Sequence, residues 1–314
     1  MNVSEADAAQ AIEDIKHYLG TITHSELQAR IRTFRKLQFQ VLSEEDIRKE
    51  LHKVFLSKHP RDGKNWHTGI SATSSWPKET DFFRVRKLDC EPSAPPYNKM
   101  AVASDLWHNP TPSACQSGRF NARGTSVLYL TPAHPGVAAQ ELQISRGDFF
   151  ALIVYRPREK IDCLNIAHLP EQYRRSFSDD EWLKLNTLND FVVHECTRHV
   201  GVGTEYLYKI SRVLFEMNLN IDLVSSHGWG VLYPSVPNQN ALNIVFPNPE
   251  LAKQKLHFRG VATMLYDGGE KFLCQSVSRK LDDDEKLLFE RPTEESVTDL
   301  LPDDYQGFTP YWPA

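Results

Sequence analysis

The run Phe149–Tyr155, FFALIVY, limits the fold of this chain more than any other stretch. Seven residues with no charged interruption fit a central strand buried on both faces, which needs strands beside it and covering layers above and below. Other segments supply the neighbours. Phe82–Leu88, FFRVRKL, alternates apolar and basic residues and reads as a strand with Arg84 and Arg86 on one face. Val127–Leu130, Gly230–Tyr233 and Leu242–Phe246 read as further strands. Leu256–Tyr266 and Lys271–Val277 form a hairpin about Asp267-Gly268-Gly269, the strongest turn signal in the chain.

Helices are signalled at both ends of this set. Ser4 with Asp7, Thr23 with Glu26, and Ser43 with Asp46 have the hydroxyl-x-x-acid spacing that satisfies free N–H groups at a helix start, so residues 4–58 read as three helices. Ile47, Leu51, Val54 and Phe55 share one face of the third. Leu27, Ile31, Phe34 and Val41 form a stripe on the second, edged by Arg30, Arg32, Arg35 and Lys36, which reads first as a solvated face and second as a surface for an acidic partner. Helices are also expected over Gly136–Ser145, Asp179–Leu188 and Tyr206–Met217. Residues 59–81 read as a linker, and the proline-rich segment Glu91–Gln116 as a stiff surface loop beside a pocket. From Asp282 to Asp304 there are ten acids against Lys286 and Arg291, so this tail is expected to be extended and solvated.

Composition excludes several classes. With 36 Lys and Arg against 41 Asp and Glu, the net charge of −5 provides no overall basic field for nucleic acid or an anionic membrane. Cys90, Cys115, Cys163, Cys196 and Cys274 are odd in number and lack a C-x-x-C pair, which fits reduced thiols rather than a disulfide framework or zinc site. The opening MNVSEADAAQ has no basic segment followed by an apolar run, and no stretch has the length of a membrane span, so a cytoplasmic protein is expected.

Several crowded motifs fail on spacing. His194 and His199 in HECTRH lie five apart, about 140° around a helix, so they do not form a zinc pair; a polar helix end is the plainer reading. Gly201 and Gly203 lack the partners of a dinucleotide or phosphate loop, and Thr204 reads as a helix cap. Ser226-His227-Gly228 lacks a nucleophile elbow. The segment Gly118–Glu141, GRFNARGTSVLYLTPAHPGVAAQE, does better. It brings a glycine-arginine turn, a strand bearing Tyr129 and a helix bearing Glu141 into one unit. Arg119 is suited to fork onto a phosphate or to make a structural salt bridge, and the residue types alone leave these equal. Tyr129 and Glu141 judged singly read as a core aromatic and a solvated charge.

Phe83-Arg84-Val85-Arg86, Gly118-Arg119-Phe120-Asn121 with Gly124, Leu128-Tyr129-Leu130, Ala138-Ala139 with Glu141, and Tyr233-Pro234-Ser235-Val236 with Asn243-Ile244-Val245-Phe246 occur in one order that resembles the RES domain family. The family's arginine, glutamate and serine fall on Arg119, Glu141 and Ser235. The likeness spans about residues 82–250. It implies an α+β, ADP-ribosyltransferase-like RES domain, with central mixed or antiparallel sheets flanked by helices, plus an N-terminal helical extension. The corresponding division is 1–75 helical region and linker, 76–281 catalytic domain, and 282–314 acidic tail.

The resemblance further implies an enzyme that cleaves the nicotinamide–ribose bond of NAD⁺, as glycohydrolase or phosphorylase, acting as a toxin or effector. ADP-ribosyl transfer to a protein is the alternative; a non-catalytic nucleotide-binding or interaction module is the alternative of another class. Arg119, Tyr129, Glu141 and Ser235 are then the catalytic set, with Arg84, Arg86, Gly118, Asn121, Tyr233 and Asn243 binding substrate. NAD⁺ is substrate, with no cofactor and no metal. The expected partner is an antitoxin or immunity protein, with a homodimer also in view and neither nucleic acid nor membrane. Action is in the cytoplasm, of the producing cell or of a target cell.

Overall fold

The computed structural model describes residues 5–58, 65–67, 72–88, 100–109, 111–166, 169, 171–218, 227–301 and 309–311. It is mixed α and β with one large mixed sheet, and its contacts divide into two compact units. Residues 1–73, 117–120 and 164–221 form one; residues 74–116, 121–163 and 222–314 form the other.

The first unit is helical. Its helices are α1 (Glu5–Gly20), α2 (His24–Arg35) and α3 (Glu44–Phe55), joined by two long-range partners, α6 (Asp179–Thr197) and α7 (Tyr208–Asn218). Start signals act as spacing predicts. Thr23 with Glu26 and Ser178 with Glu181 close capping boxes, and Ser43 exchanges hydrogen bonds with Asp46. Ser4 lies outside the described residues. The apolar faces meet around Phe191 of α6, whose ring lies 5.4 Å from Phe34 and 5.7 Å from Phe55. Two buried polar side chains satisfy backbone: Tyr18 donates to the Val54 carbonyl at 2.7 Å and Lys184 to that of Leu19 at 2.9 Å. The short strands β1 (Leu56–Lys58) and β2 (Asn65–His67) pair antiparallel beyond α3.

Two expectations change here. Helix α6 runs nine residues past the expected Leu188, because Phe191, Val192 and Cys196 continue the buried face. Val41 is 76% exposed, since α2 ends at Arg35 before the stripe can reach it.

The second unit is built on a ten-stranded sheet, in order β12-β11-β10-β6-β4-β5-β9-β8-β7-β3. The strands are β3 (Ala72–Trp76), β4 (Phe82–Leu88), β5 (Leu128–Pro132), β6 (Phe149–Pro157), β7 (Ile161–Asn165), β8 (Gly230–Pro234), β9 (Leu242–Phe246), β10 (Leu256–Gly268), β11 (Lys271–Ser278) and β12 (Thr309–Tyr311). The FFALIVY run is β6, paired antiparallel with β10 on one side and β4 on the other. Its alternation feeds two cores: Phe149, Ala151, Ile153 and Tyr155 on one face, Phe150, Leu152 and Val154 on the other. The hairpin turn holds Gly268 at φ 110° and Gly269 at φ 63°, which only glycine adopts without strain.

The expected linker holds β2 and β3, and its residues 59–64 and 68–71 lie outside the described set, as do 91–99 and 110 of the proline-rich loop. The acidic tail is more structured than its charge implied. Thr293 caps a helix, Glu294–Leu300, that buries Val297 and Leu300, and the adjoining Leu301 is buried too, all against the core that contains Phe150. Their spacing of three and one gathers the apolar groups on one side, while Glu294, Glu295 and Asp299 stay exposed.

Candidate functional site

On the face of the sheet that carries Phe83 and Val154, an apolar core gives way to a row of polar side chains across β5, β9 and β8. Register explains the row. Phe83 pairs with Thr131, Tyr129 with Val245, and Tyr233 with Asn243, so period-two alternation puts Tyr129, Thr131, Asn243 and Tyr233 on this face. Leu128, Leu130, Ile244 and Phe246 turn to the opposite core.

Glu141 arrives from a helix laid against this face. After β5 the chain reverses at Ala133, held at φ 59° with its N–H bonded to the Asp81 carbonyl at 2.9 Å. Helix α5 (Pro135–Glu141) follows, with proline in its first turn. Gly136, Ala138 and Ala139 are buried, and their small size lets the helix lie close to β4 and β5. The helix stops at Glu141, earlier than the expected Ser145, because Gln143 turns to φ 51°. An acid in the last turn faces the negative end of the helix dipole, so its position requires donors from elsewhere. Two are supplied: Val236 N–H at 3.1 Å and the Asn243 amide Nδ2 at 2.5 Å, both on Oε1. Oε2 accepts no hydrogen bond from the described residues. Asn243, 3% exposed, accepts in turn from the Thr131 hydroxyl at 2.7 Å.

Two tyrosines stand along the row. Tyr129 donates to Asn121 Oδ1 at 3.0 Å, and its ring meets Tyr233 edge-on at 6.5 Å. Asn121 is itself fixed, donating to the carbonyls of Gln116, Ala122 and Thr125. Ser235 is fully buried; its N–H bonds the Ala241 carbonyl and its Oγ accepts from Asn238 N–H at 3.3 Å. It shapes the β8–β9 turn that presents Val236 N–H to Glu141.

The structure therefore groups Asn121, Tyr129, Glu141, Tyr233, Ser235 and Asn243 in one unit. It separates Arg84 and Arg86 from them by the thickness of the sheet. Arg84 pairs with Ile153 and Arg86 with Ala151, both on the opposite face. There, at the short helix α4 (Ala103–Leu106), Arg84 donates to the carbonyls of Leu106 and the following Trp107, and Arg86 to that of Asp105 at 2.8 Å. Burial, with the neighbouring Arg84, draws the Arg86 guanidinium below its usual value, and burial pushes the Tyr155 hydroxyl beside them up to about 12.

Gly118 and Arg119 belong to the helical unit. The Arg119 guanidinium donates to the carbonyls of Cys196 and Arg198 and lies 5.6 Å from the Tyr208 ring centre. These carbonyls are at the end of α6, where the last ones have no partner within the helix. Beside them, Glu195 is buried and contacts Arg198 Nε at 2.6 Å, His194 Nδ1 at 3.0 Å and Arg35 Nε at 3.3 Å. The HECTRH motif is thus an ion-paired helix end. Among the described residues no three His, Cys, Asp or Glu side chains cluster as a metal site, and no helix is long and apolar enough to cross a membrane. Ser226 lies outside the described residues.

Thr131 and the Val236 N–H were missed in the sequence. Thr131 had one available signal, its place two residues beyond Tyr129 on the same strand face. No protein-family model, curated protein or solved structure matches the chain.

Proposed function

We propose that this chain is an NAD⁺-consuming enzyme of the RES type, with an ADP-ribosyltransferase-like domain, that cleaves the nicotinamide–ribose bond. The observation that carries this reading is Glu141: a carboxylate fixed through one oxygen by two N–H donors, with no donor from the described residues on the second oxygen and tyrosines in the same row. Nicotinamide in NAD⁺ is a cationic leaving group, so its departure needs no general acid and the barrier is that of a ribosyl cation. A held carboxylate stabilises that charge as it develops, without reorganising at the moment of reaction. Tyr129 and Tyr233 offer aromatic surface to the nicotinamide or ribose. Asn121 holds the Tyr129 hydroxyl, and Ser235 shapes the turn. In this reading Arg119 is the arginine that binds the diphosphate, with Gly118 beside it. Arg84 and Arg86 serve the scaffold.

The wider role is a toxin or effector in a cytoplasm, restrained by an antitoxin or immunity protein. Purified protein incubated with labelled NAD⁺, with and without phosphate, tests the reaction. Free ADP-ribose identifies hydrolysis, ADP-ribose 1-phosphate phosphorolysis, and labelled protein ADP-ribosyl transfer. Intact NAD⁺ after prolonged incubation would overturn the proposal.

A second reading is a nucleotide-binding or interaction module without turnover. The observation that favours it is the Arg119 guanidinium, whose donors already satisfy the end of α6. It predicts NAD⁺ binding with no product.

A further inference from the structure

We infer that Thr131 is a positioning residue for Glu141, acting through the Asn243 side-chain amide. The inference rests on the proposed role of Glu141. The three side chains form a directed chain: the Thr131 hydroxyl donates to Asn243 Oδ1 at 2.7 Å, and Asn243 Nδ2 donates to Glu141 Oε1 at 2.5 Å. Direction matters, because an amide can be turned over at little cost unless its neighbours distinguish oxygen from nitrogen. Asn243 has a carboxylate on one side, which when ionised only accepts. Turned over, it would set its carbonyl oxygen against that carboxylate. The carboxylate thus sets the orientation, and the Thr131 hydroxyl locks it by satisfying the buried Oδ1, which without it would lose this partner.

Burial makes the lock effective. Thr131 is 4% and Asn243 3% exposed, so water does not replace a lost partner at either. Both stand on paired strands, Thr131 on β5 and Asn243 on β9, and strands hold a polar constellation more closely than loops do. Glu141, by contrast, ends a short helix whose next residues turn away, so its carboxylate depends on these side-chain and backbone donors for its position. Val236 N–H supplies the second donor and comes from a turn that does not involve Thr131.

The test compares T131V, which keeps shape and removes the hydroxyl, with T131S, which keeps the hydroxyl. T131V is expected to lower kcat for NAD⁺ consumption about tenfold or more, because a misplaced reacting group loses rate before it loses binding. KM should stay within about twofold. T131S should restore most of kcat, and T131V should add little to N243A, since both cut one chain. A merely structural Thr131 would lower thermal stability, leave kcat unchanged and add fully to N243A. That result overturns the inference.

An activity-independent measurement separates it from the parent proposal. By NMR, the Asn243 side-chain amide protons should exchange faster and the Glu141 carboxyl carbon resonance should move in T131V, both returning in T131S. If the wild-type chain leaves NAD⁺ intact, the proposed reaction falls and these signals alone decide the positioning. Unchanged signals in T131V reject it. Should T131V fail to fold, T131A is read in its place, since it only removes atoms.

Discussion

Two buried or half-buried glutamates, Glu141 and Glu195, anchor the polar groups of the two units, and they are held in opposite ways. Glu195 is 1% exposed and met by Arg35, Arg198 and His194. Glu141 is half-buried and held by neutral N–H donors on a single oxygen. Both neighbourhoods contain groups capable of acid, base or ligand chemistry. What separates them is charge: the first carboxylate has an arginine within ion-pair distance of each oxygen, and the second is met by neutral donors on one oxygen and by no donor from the described residues on the other. Crowding of reactive residue types in HECTRH therefore marks a structural fastening, while the sparser Glu141 neighbourhood holds its carboxylate by neutral donors, as the proposed chemistry requires.

The largest expected effect breaks the comparison on stability. Glu195→Ala leaves Arg198, whose side chain is 18% exposed, without its carboxylate. Removing one member of a buried ion pair costs about 3 kcal/mol, read as a fall in the urea unfolding midpoint. Arg35 contributes less, since its side chain is 40% exposed and water screens the pair. A loss below about 1 kcal/mol would place Glu195 with ordinary surface pairs and remove the contrast.

Glu141→Gln should behave in the reverse manner. The amide keeps an oxygen for Val236 and Asn243, so unfolding should shift by only about 0.5 kcal/mol. Turnover of NAD⁺ should fall about a hundredfold, the loss expected when a preorganised charge is removed from beside a developing one. Steady-state kinetics on the purified variant checks this. A variant that is destabilised and fully active would show that the two glutamates have been assigned to each other's roles.

How much of this contrast was legible in the sequence depended on the range of each interaction. β6 was plain because seven consecutive residues carry the signal, and the β10–β11 hairpin because its turn is local. The helix starts at Thr23 and Ser43 follow from spacing of three residues. The Thr131–Asn243 contact joins residues 112 apart, and it exists only because β5 and β9 pair in one register. A slip of one residue would send Asn243 to the other face. Arg119 was equally opaque, since its partners are carbonyls 77 and 79 residues away, and every residue type has a carbonyl. In the acidic tail, charge count obscured three leucine and valine positions whose spacing was present but outnumbered.

Arg119 sharpens the comparison, because it fastens the end of α6 and is also the arginine proposed to hold diphosphate. Arg119→Ala removes charged hydrogen bonds to two helix-end carbonyls and should cost about 2 kcal/mol of unfolding free energy. Because Glu195 sits at the same helix end, the loss should be less than additive with Glu195→Ala, measured by a double-mutant cycle. The same variant should raise KM for NAD⁺. A stability loss with unchanged KM assigns Arg119 to the scaffold alone.

The smallest expected effect lies in the backbone before Glu141. Ala133, Gln143 and Glu285 are the non-glycine residues with positive φ among the described ones, and all three are in the sheet unit. Two of them bracket α5, the helix that delivers Glu141. An L-residue at φ 59° is strained by contact between its Cβ and the following carbonyl oxygen, at about 1 kcal/mol. Ala133→Gly removes that contact but gives the unfolded chain more freedom, so the net gain should be about 0.5 kcal/mol, seen as a slightly higher midpoint. Its effect on turnover is the more informative half. If the methyl only strains the turn, kcat stays level while stability rises. If it also limits the angle at which α5 leaves β5, Glu141 gains freedom and kcat falls as stability rises. That opposite movement is the one expected here, because backbone strain persists where the surrounding structure holds a group for use. Glu195, delivered by the 19-residue α6 with no such residue beside it, has no counterpart to this trade.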